Sequence, residues 1–432
     1  MSLIHIKGGR IVDPANNIDK VSDLCIKDGK IYSLEAPTEK ADKVIDASGL
    51  VVMPGFVDLN CHLREPGFES RETILTGSMA GAAGGYTTLC AMPNTDPVTD
   101  NEIVATYVKY KAEKEAVIRV LPVGAITKGK CGEELADIGR MAKAGVCALS
   151  EGDRTVQNAA LMKTALKYSK MFDLPVLAYS VDTDLAGKGS MNAGDAAALL
   201  GLKGISADSE EVMVSRDMIL AGSTKARLHL CHISTSGSVT LIKQAKERGV
   251  DVTADVTPHH FSLSDEDIVD YDANYKVNPP LRTKEDIVAI KEGLKNNIIE
   301  VIATDHAPRH IDEKNCEFEK AENGIVGLET AFALSFTNLV DKNVITLSEL
   351  VKKMSLNPAK IINSDLGTLS VGACADVTIA DIEKDFVFDK TRSFSKSRNT
   401  PFDGKTLKGK ILYTISRGNV VFEKGSIKGE CK

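Results

Sequence analysis

The chain has 432 residues, 43% of them hydrophobic and 26% charged, with no tryptophan and a net charge of −7. That length suits one large domain with a smaller companion. The acidic balance, without any basic block, argues against a nucleic-acid or anionic-membrane surface. The nine cysteines include no C-x-x-C pair, which fits free thiols in a reducing cytoplasm. The start "MSLIHIKGGRIVD" lacks the charged and apolar regions of a signal peptide, and no apolar run approaches the roughly 18 residues of a membrane helix. A cytoplasmic protein is expected.

In chain order, the first fifty or so residues read as short β pieces around Gly and Asp-Gly turns: "LIHIKGGRIVD", "DLCIKDGKIYSL" and "KVIDASGLVVMPG". After Pro54 the rhythm changes to short apolar strands followed by helical patterns. Eight strands are predicted: "GFVDLNCHL", "YTTLCAMPN", "VIRVLPVGAIT", "GVCALS", "LPVLAYS", "ARLHLCHIS", "GVDVTADV" and "IEVIATDH". Helical segments include "TVQNAALMKTALKYSKMF" and "SGSVTLIKQAKERG". Eight β/α units in about 250 residues predict a TIM (β/α)8 barrel. The alternative, a doubly wound sheet, finds no G-x-G-x-x-G after a strand to support it. Past Asp305 lie the helical "GLETAFALSFTNLV" and "LSELVKKMSLNPAKIIN", and from about Leu366 the β pattern returns. The expected division is a composite β domain from residues 1–54 and 366–432 around an α/β barrel spanning 55–365.

A TIM barrel carries its chemistry at the C-terminal ends of its strands. Those ends hold Asp58, Asn60, His62 and Arg64, then Asn94, Glu151 with Asp153, Tyr179, His232, His259 with His260, and Asp305 with His306. A lone strand-end histidine more often bonds a backbone carbonyl than a ligand. Convergence of His62, His232 and Asp305 on one face instead suits a Zn²⁺-like ion, with Asp305 placed to take a proton from water. His229, three residues before His232, turns to the opposite side and reads as packing or surface. Arg64 offers a two-pronged grip on a carboxylate and Asn94 a donor and an acceptor. The plainer readings are a surface ion pair for Arg64 and turn chemistry for Asn94.

The stretches "PGFVDLNCHLREPGFE", "GGYTTLCAMPNTDPV", "LHLCHIST", "VTPHHFSL", "NPPLR", "IATDHAP", "GIVGLETA" and "SLNPAKI", in this order, resemble the class I dihydroorotases of the amidohydrolase superfamily nearly end to end. The resemblance implies a TIM barrel with a composite β domain. It also implies the reversible closure of N-carbamoyl-L-aspartate to dihydroorotate in pyrimidine synthesis. It assigns metal binding to His62, His232 and Asp305, catalysis to Asp305, and substrate contacts to Arg64, Asn94, Asn278 and the position of Arg309.

The chain also departs from that pattern. Asn60 stands at the first histidine of a His-x-His pair, Gly152 at a bridging aspartate between Glu151 and Asp153, and Tyr179 at a further histidine ligand. Arg309 replaces a substrate-contacting histidine, with His310 one place late. Three of six metal-ligand positions are thereby changed, and Asp153 is a carboxylate that could swing in if the loop shifts its register. Zinc content is expected at one ion at most, down to none.

The first expectation is therefore a catalytically silent homologue, a non-catalytic partner of aspartate carbamoyltransferase that still holds a carboxylated pyrimidine precursor. The alternative is a working dihydroorotase with a mononuclear zinc site. A hydantoin- or allantoin-type substrate is disfavoured by "HLREPG" and "MPNT". A homo-oligomer is expected.

Overall fold

The computed structural model describes residues 3–428. The N-terminal segment forms β1 (Leu3–Asp13), β2 (Ile18–Lys27), β3 (Lys30–Ser33), β4 (Lys43–Asp46) and β5 (Val51–Pro54). The barrel strands follow: β6 (Phe56–Cys61), β7 (Tyr86–Ala91), β8 (Arg119–Ala125), β9 (Ala148–Ser150), β10 (Val176–Tyr179), β11 (Leu228–Cys231), β12 (Val252–Val256) and β13 (Val301–Ile302). The tail returns with β14 (Val377–Asp381), β15 (Lys410–Ser416), β16 (Asn419–Glu423) and β17 (Ser426–Ile427).

Strands β6 to β13 pair in sequence order as one parallel sheet. Its two edges meet where Cys61 bridges His306 and the His62 N–H donates to the His306 carbonyl at 2.9 Å. A doubly wound sheet would reverse its order at the centre, and this one does not. The seam is reinforced from the side chains. Asp58 on β6 accepts from the backbone N–H of Thr304 at 2.9 Å and from its hydroxyl at 2.6 Å, both fully buried.

The two chain ends share a second sheet. β5 pairs antiparallel with β14, Val52 opposite Ile379, so the last strand before the barrel is zipped to the first strand after it. Ile6, Ile11, Leu24, Val52, Val377 and Ile415 form its own apolar core. The fold is thus the expected barrel with a β domain built from both termini.

One of the predicted helices starts later than its pattern, for a local reason. Asn158 caps the helix Ala159–Lys170 by accepting from the N–H groups of Ala160 and Leu161, so "TVQN" stays extended. Thr235 caps Ser236–Glu247 in the same way, through Ser238. Eight of the nine cysteines lie among the described residues, and all eight are free. No helix among the described residues is long and apolar enough to cross a membrane.

Candidate active site

The strand ends converge on a cavity of about 140 Å³. His62, Arg64, Tyr179, His232, Asn278 and Asp305 line it, as do Gly152, Asp153 and Arg309. Asn60 and Asn94 are buried and reach the same cluster through the two histidines. Arg64, His232 and Asp305 all take left-handed backbone conformations, with φ of 63°, 58° and 46°. Non-glycine residues adopt that region rarely, and three at the rim of one cavity mark a site whose surroundings hold its side chains in place.

Asp305 is the hub. Its Oδ1 accepts from His62 Nε2 at 3.1 Å and lies 3.7 Å from His232 Nε2. Burial works against its charge, but His232 and His62 hold its pKa at about 2. On the far side of His232 stands Asp255, which accepts from both the backbone N–H (2.7 Å) and Nδ1 (3.0 Å) of that histidine. Burial opposes the His232 charge, yet Asp255 and Asp305 together raise its pKa to about 9. His62 goes the other way, lowered by burial, with Asp305 restoring part of its basicity.

The two asparagines tune these histidines. Asn60 Nδ2 lies 2.8 Å from His232 Nε2, where it can donate only to the neutral imidazole, and Asn60 Oδ1 is buried without a partner. Asn94 Oδ1 lies 2.8 Å from His62 Nδ1 and accepts from it when the imidazole is protonated, leaving Asn94 Nδ2 without a partner. A half-turn of either amide swaps donor for acceptor, so each asparagine can serve the neutral or the protonated imidazole. The Tyr179 hydroxyl and Asn278 Oδ1 are also buried and unpartnered on the cavity wall. Buried polar atoms rarely remain unpaired, so this set points to a polar ligand.

Arg64 is buried, and among the described residues its guanidinium makes one weak bond, Nε to the Pro308 carbonyl at 3.3 Å. Burial and the like charge of Arg309 lower its pKa. The surface ion pair is therefore excluded, and the cation is free to grip an anion. Arg309 is already engaged, with Nη1 on Glu322 at 3.0 Å and Nε on the Asn323 carbonyl at 2.8 Å. His310 is exposed, caps the short helix Ile311–Lys314 and does not line the cavity. His259 and His260 are buried, with His260 Nε2 donating to the Pro279 carbonyl at 3.0 Å. His306 donates to Glu72 at 3.3 Å. His229 is fully buried and packs against Asp255 at 2.9 Å, as the packing half of its reading expects.

Two residues were not found from sequence. Asp255 had a signal, a carboxylate inside the apolar strand "VTADV". Lys130 had none: "KGKCG" reads as a solvated turn. It is in fact buried, and its Nζ donates to Asp153 at 2.6 Å. Asp153 is half exposed, and its pKa is lowered well below the usual range by Lys130, His62 and Arg64, against burial. Glu151 is buried and turned away, accepting from the Thr127 N–H.

The donors present do not fit two metal ions. Gly152 has no side chain, and burial holds the Tyr179 phenol neutral by raising its pKa well above the usual value. The spacings from Asp305 Oδ1 to His62 and His232 bracket the roughly 3.3 Å between neighbouring ligands around tetrahedral zinc. Asp305 could therefore share one ion with either histidine. All three do not close into one cage. Among the described residues, the only three such donors gathered within 4.8 Å are His229, Cys231 and Asp255, which lie buried and already hydrogen-bonded beneath His232.

An α/β barrel with a two-ended β domain and a His/Asp cluster at its strand ends defines a hydrolase scaffold of the amidohydrolase kind. Residues 49–238 match the family described as dihydro-orotase-like. A protein of Acetivibrio thermocellus named dihydroorotase is 48% identical over 417 residues, covering 96% of this chain and 98% of its own. One of the same name from Geotalea daltonii is 48% identical over 425 residues, covering 98% and 99%. An L-hydantoinase (dihydropyrimidinase) structure from Arthrobacter aurescens superposes with a TM-score of 0.89 at 27% identity, over 100% of this chain and 98% of that one. The chain belongs to the dihydroorotase family.

Proposed function

We propose that this protein works on the substrate pair that the name of its relatives implies, dihydroorotate and N-carbamoyl-L-aspartate, as a cytoplasmic dihydroorotase with a reduced metal site. The observation that carries the reading is Arg64, a buried guanidinium with only one weak backbone partner, facing a cavity that holds further unpaired polar atoms. A buried cation of this kind is stabilised by a carboxylate ligand, which both members of the pair carry. Asn94 and Asn278 supply donors and acceptors for the amide groups.

Asp305 takes a proton from the attacking water as its oxygen bonds the ring carbonyl carbon, and returns that proton to the ring nitrogen as the C–N bond breaks. A carboxyl at about 2 is ionised at neutral pH but is a weak base. An ion shared by Asp305 and one histidine would supply a Lewis acid and a more acidic water. Slow turnover, at one ion or fewer per chain, is the expected behaviour.

The second reading is the silent homologue that partners aspartate carbamoyltransferase. Gly152 and Tyr179 favour it, because they leave a second ion without donors. The name shared by relatives 46–49% identical over nearly the whole chain favours turnover, and it sets the order of the two readings. The test is dihydroorotate hydrolysis by purified protein in zinc-supplemented buffer beside Asp305→Ala. Turnover lost in the variant supports the enzyme. Turnover no higher than the variant's overturns it in favour of the silent partner.

A further inference from the structure

We infer that Lys130 is a second anion clamp, which makes the site selective for a ligand with two carboxylates over one with a single carboxylate. This inference rests on the proposed binding of the dihydroorotate pair.

The argument begins with Gly152. An added Cβ there would lie 3.5 Å from Lys130 Nζ and 3.7 Å from Asn94. The space that a side chain at position 152 would enter therefore ends at an ammonium group. Lys130 is 7% exposed and sits in a left-handed turn, φ 56°, just after β8. Its carbonyl accepts from Arg154 Nη1 at 3.4 Å, which ties the turn to the loop that follows β9.

A second cavity of about 400 Å³ adjoins the first. Lys130, Arg154 and Gln157 line it, and it shares Asp153, Tyr179 and Asn278 with the Arg64 cavity. Cations thus stand in both adjoining chambers: Arg64 in one, beside an Arg309 already held by Glu322, and Lys130 in the other, beside an Arg154 that bonds the Lys130 carbonyl. The shared wall carries two unpartnered polar atoms, Tyr179 OH and Asn278 Oδ1.

Of the nearby carboxylates, Asp153 is the one that bonds the Lys130 amine, whereas Glu151 is tied to the Thr127 N–H and acts on Lys130 only through its charge. The Asp153 side chain is 46% exposed, whereas that of Lys130 is 6% exposed. The amine is fixed and its partner can swing into solvent. Asp153 therefore acts as a built-in stand-in for a ligand carboxylate. N-carbamoyl-L-aspartate has two carboxylates and dihydroorotate one, so the open-chain form engages both Arg64 and Lys130, and the ring engages Arg64 alone.

The test is calorimetric titration of N-carbamoyl-L-aspartate and of dihydroorotate into wild type, Lys130→Met and Asp153→Asn, in chelator-treated buffer to suppress turnover. Wild type should prefer the dicarboxylate by roughly tenfold, the usual weight of one charge-assisted bond. Lys130→Met should lose that preference while binding dihydroorotate within about twofold of wild type. Asp153→Asn, which frees the amine, should widen the preference. Equal affinities in wild type, or a preference unchanged in both variants, would overturn the clamp and leave the proposed function standing. No binding of either compound to wild type would overturn both.

Discussion

Asp255 Oδ1 receives two bonds from one residue, the backbone N–H of His232 at 2.7 Å and its ring Nδ1 at 3.0 Å. The carboxylate therefore fixes both the left-handed turn that ends β11 and the orientation of the imidazole. Against burial, and together with Asp305, it also raises the His232 pKa from 6.5 to about 9.

A pH dependence follows, with a definite sign. A histidine whose pKa is higher folded than unfolded adds stability that is fully present below about 6.5 and lost as pH rises through about 9. A shift of that size corresponds to about 3 kcal/mol. In chelator-treated protein, the thermal unfolding midpoint should fall between pH 6.5 and 9. Asp255→Asn keeps an acceptor for the backbone N–H but removes the charge, so the slope should flatten. An identical slope in wild type and variant would refute the assignment.

The closure of the barrel makes a separate prediction. The Thr304 hydroxyl donates to Asp58 and accepts from the His306 N–H at 3.0 Å. Burial already raises the Asp58 pKa to about 7 despite the bonds from Thr304. Thr304→Val leaves a buried carboxylate and a buried N–H short of partners, which costs about 1–3 kcal/mol. Urea denaturation should show a lower midpoint with an unchanged slope.

Much of this was legible in the chain, because a barrel repeats one signal eight times and its ligands sit at known places on that repeat. Even short β9 announced itself through "CALS" between turn residues. What stayed hidden was the depth of side chains in loops. Lys130 lies between two glycines and has the look of a solvated amine. Only the fold of the β8 and β9 loops against each other buries it. Arg309 had the opposite fate: a cation expected to face the substrate is largely neutralised by Glu322, thirteen residues downstream, through a pairing that no local pattern encodes.

Restoring one histidine should not rebuild a metal pair. Asn60 lies 2.8 Å from His232 Nε2, so an imidazole at position 60 would contact the histidine beside it. Gly152 and Tyr179 would still offer a second ion no donor. Asn60→His should therefore bind no more than one zinc per chain by elemental analysis. Two ions, or a large rise in dihydroorotate hydrolysis from that change alone, would contradict this account.

The complementary expectation is that Asn60→His, Gly152→Asp and Tyr179→His together do rebuild the pair. Gly152 has φ 64°, a conformation that aspartate tolerates better than most residues. The nearest atom to its added Cβ is Lys130 Nζ at 3.5 Å, an ordinary contact with the end of a flexible side chain. The new carboxylate would draw on that amine and release Asp153 toward solvent. Histidine in place of Tyr179 turns an unpartnered phenol on the cavity wall into a neutral nitrogen donor. Zinc per chain should rise from one or fewer toward two, with dihydroorotate hydrolysis up by roughly tenfold or more as bound water becomes acidic. If the triple variant folds, by its circular dichroism and melting, yet holds no more zinc than wild type, the loss of metal is not explained by these three positions, and the Lys130 amine is the next group to remove.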